Sequence, residues 1–119
     1  MNAAPCVTLY GIANCDTVKK SRAWLELHGR AVRFHDFKKS GVPAGPLDVW
    51  VQALGWERLL NRRGTTWRGL DAAVRDAIVD TASATRLMLA QPSLIKRPVV
   101  EWGGGAVTVG FDADGWAAR

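Results

Sequence analysis

The first forty residues follow the pattern of a strand, a helix and a second strand, and this order restricts the fold more than any other feature. Val7 to Tyr10 is a short apolar run typical of a buried strand, and Val32 to Phe37 alternates apolar with polar residues. Between them, residues 17–28 place apolar side chains three and four apart, and Gly29 follows as a helix terminator. A helical connection makes two strands of one sheet parallel with a right-handed crossover. The sequence therefore predicts a βαβ unit.

The middle of the chain predicts several helices. Pro46 suits the first position of a helix that Gly55 ends, and Ser83 can cap a later helix that must stop before Pro92. Between these two helices the pattern predicts a short helical piece over 56–60, a polar, basic loop over 61–68 and a helix around 70–78.

The end of the chain predicts a β-hairpin. Two strand candidates, 99–102 and 106–111, are joined by the flexible turn Gly103–Gly105, and a short helix starts at Asp112. We therefore expect a single α/β domain over 1–119 with a four-stranded mixed sheet. The sheet part is predicted at 6–40 and 92–119, and an inserted helical subdomain at 41–91.

Cys15 lies where the first strand gives way, through a glycine-containing turn, to a helix beginning near Asp16. The unpaired N–H groups and positive dipole end of a helix N-terminus favour an anion, and they lower the pKa of a thiol placed there. Lys19, one helical turn further on, adds positive charge. We interpret Cys15 as a reactive thiol. The alternative is a small buried cysteine with a purely structural role.

Composition limits the remaining classes of function. The chain of 119 residues is long enough to fold without metal or disulfides, and its two cysteines and two histidines lack the spacing of a zinc site. We expect a cytoplasmic protein, because no signal peptide or membrane-spanning run is evident. Ten of the sixteen basic residues fall in four short groups beside element ends, which favours one positive pole over a nucleic-acid-binding stripe.

Three separated segments resemble signatures of the arsenate-reductase-like (ArsC/Spx) family, in its YffB branch. They are Tyr10–Leu25 (YGIANCDTVKKSRAWL), Leu60–Trp67 (LNRRGTTW) and Pro92–Pro98 (PSLIKRP). The resemblance implies a thioredoxin-like fold interrupted by a helical subdomain. It also implies that Pro98 occupies the cis-proline site that faces the thiol in this fold. Glutathione-linked arsenate reductases of the family use three arginines, of which Arg97 is matched here, whereas Asn61 and Gly110 fall at the other two positions.

A thioredoxin-type dithiol needs a second cysteine three residues after the first, but this chain has Val18 there. We therefore expect Cys15 to be the catalytic nucleophile, Arg97 its electrostatic partner and glutathione the co-substrate that resolves the adduct. The substrate is expected to be a small oxyanion or a disulfide, with no bound cofactor and no metal. Residues expected to hold glutathione or an oxyanion are Asn14, Lys19, Lys38, Arg62, Arg63 and Pro98.

Two other functions remain open at this point. The resemblance also includes regulators of the Spx branch, which bind RNA polymerase through its alpha subunit, and redox-switching members of that branch carry the second cysteine that is missing here. The second is direct binding to nucleic acid, and the net charge of +5 is the only sequence feature that supports it. Cys6 could in principle resolve Cys15, but a strand separates them by about 20 Å if fully extended.

Overall fold

The computed structural model describes residues 6–119. Its strands are β1 (Cys6–Gly11), β2 (Ala31–Asp36), β3 (Val99–Gly103) and β4 (Ala106–Val109). Its helices are α1 (Asp16–Leu27), α2 (Phe37–Ser40), α3 (Ala44–Leu54), α4 (Trp56–Leu59), α5 (Thr65–Arg68), α6 (Ala72–Asp76), α7 (Thr81–Ala90) and α8 (Ala113–Ala117), and a 3₁₀ turn spans Pro92–Leu94. None of the described helices combines the length and apolar character needed to cross a membrane.

The four strands form one mixed sheet in the order β2-β1-β3-β4. β1 and β2 are parallel, with Leu9 opposite Phe34, because α1 carries the chain from one to the other. β3 runs antiparallel to β1, with Leu9 opposite Val100, and β4 returns antiparallel beside β3. The predicted α/β class, the parallel pair and the hairpin are confirmed.

The described chain divides into two compact units, one containing the residues up to Phe37 together with Arg97–Arg119, and the other Lys38–Lys96. The core of the first unit lies between the sheet and the helices α1 and α8. Its buried members are Val7, Leu9, Val18, Leu25, Val100, Trp102 and Trp116. Alternate residues of β1 point to this core, as the period of two in a strand requires.

The second unit has its own buried apolar side chains on α3, α4, α7 and the segment after α7. They are Leu47, Trp50, Val51, Leu59, Leu60, Ala84, Met88, Leu94 and Ile95. An isolated antiparallel bridge joins Leu60 to Ile95, and the N–H of Asn61 donates to the Leu94 carbonyl over 2.7 Å. This bridge fixes the loop that follows α4.

Two predicted helix starts are wrong. α3 begins at Ala44 with Pro43 as its N-cap, so Pro46 is the third helical residue. Pro46 is tolerated there because the first four N–H groups of a helix have no partner within it. α7 is capped by Asp80, whose carboxylate accepts from the Ser83 N–H over 2.9 Å, while the Asp80 N–H donates back to Ser83 Oγ. Ser83 is thus the second half of a capping box.

The predicted loop 61–68 contains a further helix, α5, over its second half. The chain also forms one helical turn, α2, directly after β2, and this turn includes Phe37, which the sequence assigned to the second strand. Both helices are four residues long, which is too short to give a periodic pattern of apolar residues.

Candidate active site

Cys15 is the N-cap residue of α1, as predicted. Its backbone is extended, with φ −144° and ψ 122°, and its carbonyl accepts the first helical hydrogen bond from the Lys19 N–H at 2.9 Å. The preceding turn is anchored by Ile12, which is 6 % exposed, whereas Asn14 is exposed. The Cys15 side chain is half-buried and packs against the edge of the first unit's core. The thiol therefore lies at the N-terminus of α1 and remains partly accessible to solvent.

The pKa of Cys15 is set by opposing influences. Burial is the largest single influence and raises it, but the backbone N–H of Val18, the hydrogen bond and charge of the Arg97 guanidinium, and the N–H of Thr17 together lower it. The net result is a pKa below the ordinary value of a thiol. Within the described chain, the Cys15 side chain makes no hydrogen bond that caps α1. The Val18 and Thr17 N–H groups and the Arg97 guanidinium favour the thiolate over the thiol, and this makes Cys15 a candidate nucleophile.

Arg97 and Pro98 immediately precede β3, and the peptide bond between them is cis, as the family resemblance implied. Pro98 is buried, and its carbonyl accepts from the Gly110 N–H over 2.8 Å. Gly110 has φ +86°, in the left-handed region where side-chain-bearing residues are strained. Residue 110, where the family resemblance implied an arginine in arsenate reductases, is held here by a glycine whose backbone conformation disfavours a side chain.

Arg97 is the predicted site residue that the structure brings to Cys15. Asn14 precedes Cys15 directly, and Lys19 follows it by one turn of α1 with its side chain exposed. These two residues flank the thiol in sequence.

The predicted glutathione-binding residues Lys38, Arg62 and Arg63 belong to the second compact unit. All three are exposed. The Arg62 guanidinium lies over the Trp56 ring at 5.6 Å from its centroid, and Asn61 Oδ1 accepts from the Arg63 N–H at 3.1 Å. Asn61, at the second family arginine position, therefore organises the start of the basic loop. The roles of these residues toward glutathione stay predictions.

Tyr10 and Glu101 form a hydrogen-bonded pair that no sequence pattern indicated. The Tyr10 hydroxyl donates to Glu101 Oε1 over 2.9 Å, and burial, followed by this hydrogen bond, raises the pKa of Tyr10 well above its ordinary value. Tyr10 also lies 5.1 Å, centroid to centroid, from the ring of His35 on β2. The pair depends on the register of β1 against β3, for which the sequence offers no local signal.

The structure also locates Cys6, His28 and Trp67. Cys6 is exposed at the start of β1. His28 caps the C-terminus of α1 and stacks on Trp24 at 3.7 Å between ring centroids. Trp67 is half-buried in α5. Among residues 6–119, no three His, Cys, Asp or Glu side chains are grouped closely enough to hold a metal ion.

Comparison with known proteins gives a consistent result. The model of the ArsC family matches residues 10–119. An uncharacterized protein of Haemophilus influenzae is 40 % identical over 106 residues, which cover 89 % of this chain and 91 % of that protein. Spx of Streptococcus mutans, described as a global transcriptional regulator, is 26 % identical over 110 residues, which cover 91 % of this chain and 78 % of that protein.

Two solved structures extend the likeness to three dimensions. A protein named YffB shares 52 % identity with a TM-score of 0.88, over 94 % of this chain and 96 % of that one. An arsenate reductase (ArsC) related protein from Brucella melitensis shares 51 % identity with a TM-score of 0.76, over 100 % of this chain and 98 % of that one. These likenesses confirm the predicted thioredoxin-like α/β fold with its mixed four-stranded sheet.

Proposed function

The chain belongs to the ArsC family, and from that membership we propose that it is a glutathione-dependent thiol oxidoreductase with Cys15 as its only catalytic cysteine. The observation that carries the proposal is the half-buried Cys15 thiol at the start of α1, whose pKa is lowered by backbone N–H groups and by Arg97 against the opposing effect of burial. A thiolate that is both stabilised and accessible is what nucleophilic attack on sulfur requires.

The proposed reaction has two exchange steps. The Cys15 thiolate attacks the glutathione sulfur of a mixed disulfide between glutathione and a substrate thiol. The old S–S bond breaks, the substrate leaves as a thiolate that takes a proton from water, and Cys15 becomes glutathionylated. A second glutathione thiolate then attacks the glutathione sulfur on Cys15, which releases oxidised glutathione and restores the Cys15 thiolate. The substrate disulfide is reduced and two glutathione units are joined, so electrons balance.

External glutathione takes the second step because the chain offers no adjacent thiol. The residue three positions after Cys15 is Val18, and Val18 is fully buried. The other cysteine, Cys6, lies at the opposite end of β1 from the turn that leads to Cys15. A single-cysteine mechanism therefore fits the placement of both sulfur atoms.

We favour a disulfide over arsenate as the substrate. One guanidinium, that of Arg97, interacts with the Cys15 sulfur, whereas the family positions for two further arginines hold Asn61 and Gly110. A multiply charged oxyanion and its thiolate adduct need several charge-assisted hydrogen bonds. Chemistry that depends on reduced glutathione fits the reducing cytoplasm, where we place the protein as part of this proposal.

The test is intact-mass analysis after incubation with oxidised glutathione. We expect one glutathione adduct on the wild type and on Cys6→Ser, and none on Cys15→Ser; Cys6→Ser is the matched control because Cys6 is the more exposed thiol. Reduced glutathione should reduce a small glutathione mixed disulfide in the presence of the wild type or Cys6→Ser, but not of Cys15→Ser. Arsenate should not serve as a substrate in place of the mixed disulfide. An adduct on Cys6 alone, or turnover that survives in Cys15→Ser, would contradict the proposal.

A second candidate function follows from the match to Spx. In this alternative, the chain is a regulatory module that binds the alpha subunit of RNA polymerase without catalysis. Pull-down with the isolated C-terminal domain of that subunit separates the two functions. Retention together with no glutathione turnover would favour the regulator, and turnover without retention would favour the enzyme.

A further inference from the structure

Gly11, the last residue of β1, faces α1 at a distance that leaves no room for a side chain. A Cβ atom built on Gly11 would lie 2.7 Å from Val18 Cγ2 and 3.5 Å from Val18 Cγ1. Contacts below 3.0 Å essentially never occur for real Cβ atoms. Gly11 is not among the glycines with positive φ, so its backbone conformation is open to other residues. The requirement for glycine at residue 11 is therefore steric.

Val18 cannot easily move aside. A valine in a helix strongly prefers one χ1 rotamer, so its methyl groups do not swing away at low cost. Its side chain is 0 % exposed and belongs to the core cluster of the first unit. A methyl group at residue 11 would therefore have to displace the first turn of α1 away from β1.

The residue that would be displaced is the third of α1, and its N–H is one of the free backbone N–H groups at the helix start that lower the pKa of the N-cap residue Cys15. The side chain and the N–H of Val18 belong to one rigid turn, so a shift of one moves the other. We propose that Gly11 is a positioning residue for the Cys15 nucleophile: by having no side chain, it lets Val18 pack on β1 and so holds the Val18 N–H toward the sulfur. This inference rests on the proposed function in taking Cys15 as the nucleophile.

The test compares Gly11→Ala with Gly45→Ala in a Cys6→Ser background. Gly45 lies in α3, and a Cβ there meets nothing within 4 Å. The measurement is the pH dependence of Cys15 alkylation by iodoacetamide. We expect Gly11→Ala to shift the profile to higher pH and to slow alkylation at neutral pH by about three- to tenfold, the effect of weakening one interaction between an N–H group and an anion. Gly45→Ala should leave the profile in place.

A double mutant shows whether the shift comes from this contact. With Val18→Ala present, a methyl at residue 11 meets no Cγ atom, so Gly11→Ala should then change the profile much less than it does beside valine. If Gly11→Ala alone does not fold, the double variant carries the test, and a profile like that of Val18→Ala supports the proposal. A folded Gly11→Ala with an unshifted profile, or an equal shift with and without Val18→Ala, would overturn it.

This test is independent of glutathione. If Cys15 shows the expected shifts in alkylation but forms no glutathione adduct, the proposed function fails and the positioning role stands. If the adduct forms and turns over but Gly11→Ala leaves the pH dependence of Cys15 alkylation unchanged, only the positioning role fails.

Discussion

Replacing Arg97 gives the most direct measure of how the site stabilises the Cys15 thiolate. Arg97 contributes both a hydrogen bond and a charge to the sulfur. A hydrogen bond to a charged group is worth about 1.5–3 kcal/mol, and we take the lower end because Cys15 and Arg97 are only half-buried and solvent screens their charges. About 1.4 kcal/mol changes an equilibrium tenfold. Arg97→Met should therefore lower the ionisation constant of the Cys15 thiol about tenfold.

The assay is the rate of alkylation by iodoacetamide across pH in a Cys6→Ser background. The Arg97→Met profile should move to higher pH and cross that of the parent, because a thiolate with a higher pKa is intrinsically more nucleophilic once it forms. Arg97→Lys keeps the charge but not the planar fork of donors, so its profile should fall between the two.

Two results would refute this reasoning. If Arg97→Met and its parent share one profile, Arg97 does not stabilise the thiolate. If Arg97→Met is slower at every pH by the same factor, the substitution has reduced access to the sulfur or damaged the fold. Far-UV circular dichroism and urea midpoints of the three variants separate those last two cases.

Three further predictions concern the same unit. Val18→Cys should form an intramolecular disulfide with Cys15 under mild oxidation, because the N-cap side chain of a helix reaches its third residue; free-thiol counting after oxidation checks this, and a persistent glutathione adduct would contradict it. Tyr10→Phe should lower the free energy of unfolding by about 1–2 kcal/mol through loss of the bond to Glu101, and an unchanged urea midpoint would count against that bond. The pKa of Cys15 is lower in the folded protein than in the unfolded chain. The Cys15 thiolate therefore contributes to the free energy of unfolding at pH values above the ordinary thiol pKa, and this contribution is lost as pH falls through the folded pKa. The unfolding free energy of the wild type minus that of Cys15→Ser should thus rise with pH up to about 8.5, and a flat difference would disprove the lowered pKa.

The local part of the site could be predicted from sequence. A strand, a glycine turn and an amphipathic helix fix where Cys15 must lie, and the structure places it at the N-cap of α1. The capping of α7 shows the limit of this reasoning. Asp80 and Ser83 are both good caps, and the structure uses Asp80 as the cap and Ser83 as its reciprocal partner. Sequence alone does not rank two candidates of similar propensity that lie three residues apart.

The non-local part of the site could not be derived from residue patterns. Arg97 reaches Cys15 because β3 pairs with β1 in a register that sets Tyr10 opposite Val99. No periodicity fixes that register, and the family resemblance is what singled out Arg97 beforehand. The same pairing brings Tyr10 to Glu101, for which neither the patterns nor the resemblance offered a signal. The close approach of Gly11 to Val18 likewise appears only when α1 is docked on the sheet.

The partial burial of Cys15 follows from the balance of these contributions. Burial is the strongest single influence on the pKa of Cys15, and it opposes the thiolate. The backbone N–H groups belong to the start of α1, whereas Arg97 is placed by the strand pairing of the sheet. Together they lower the pKa of Cys15 by more than burial raises it. A fully buried sulfur would need further cations to stay ionised, and a fully exposed one would lose the contacts with Val18 and Arg97. A half-buried thiol at the junction of helix and sheet is therefore the arrangement in which one arginine suffices, and it leaves the sulfur open to a second thiol.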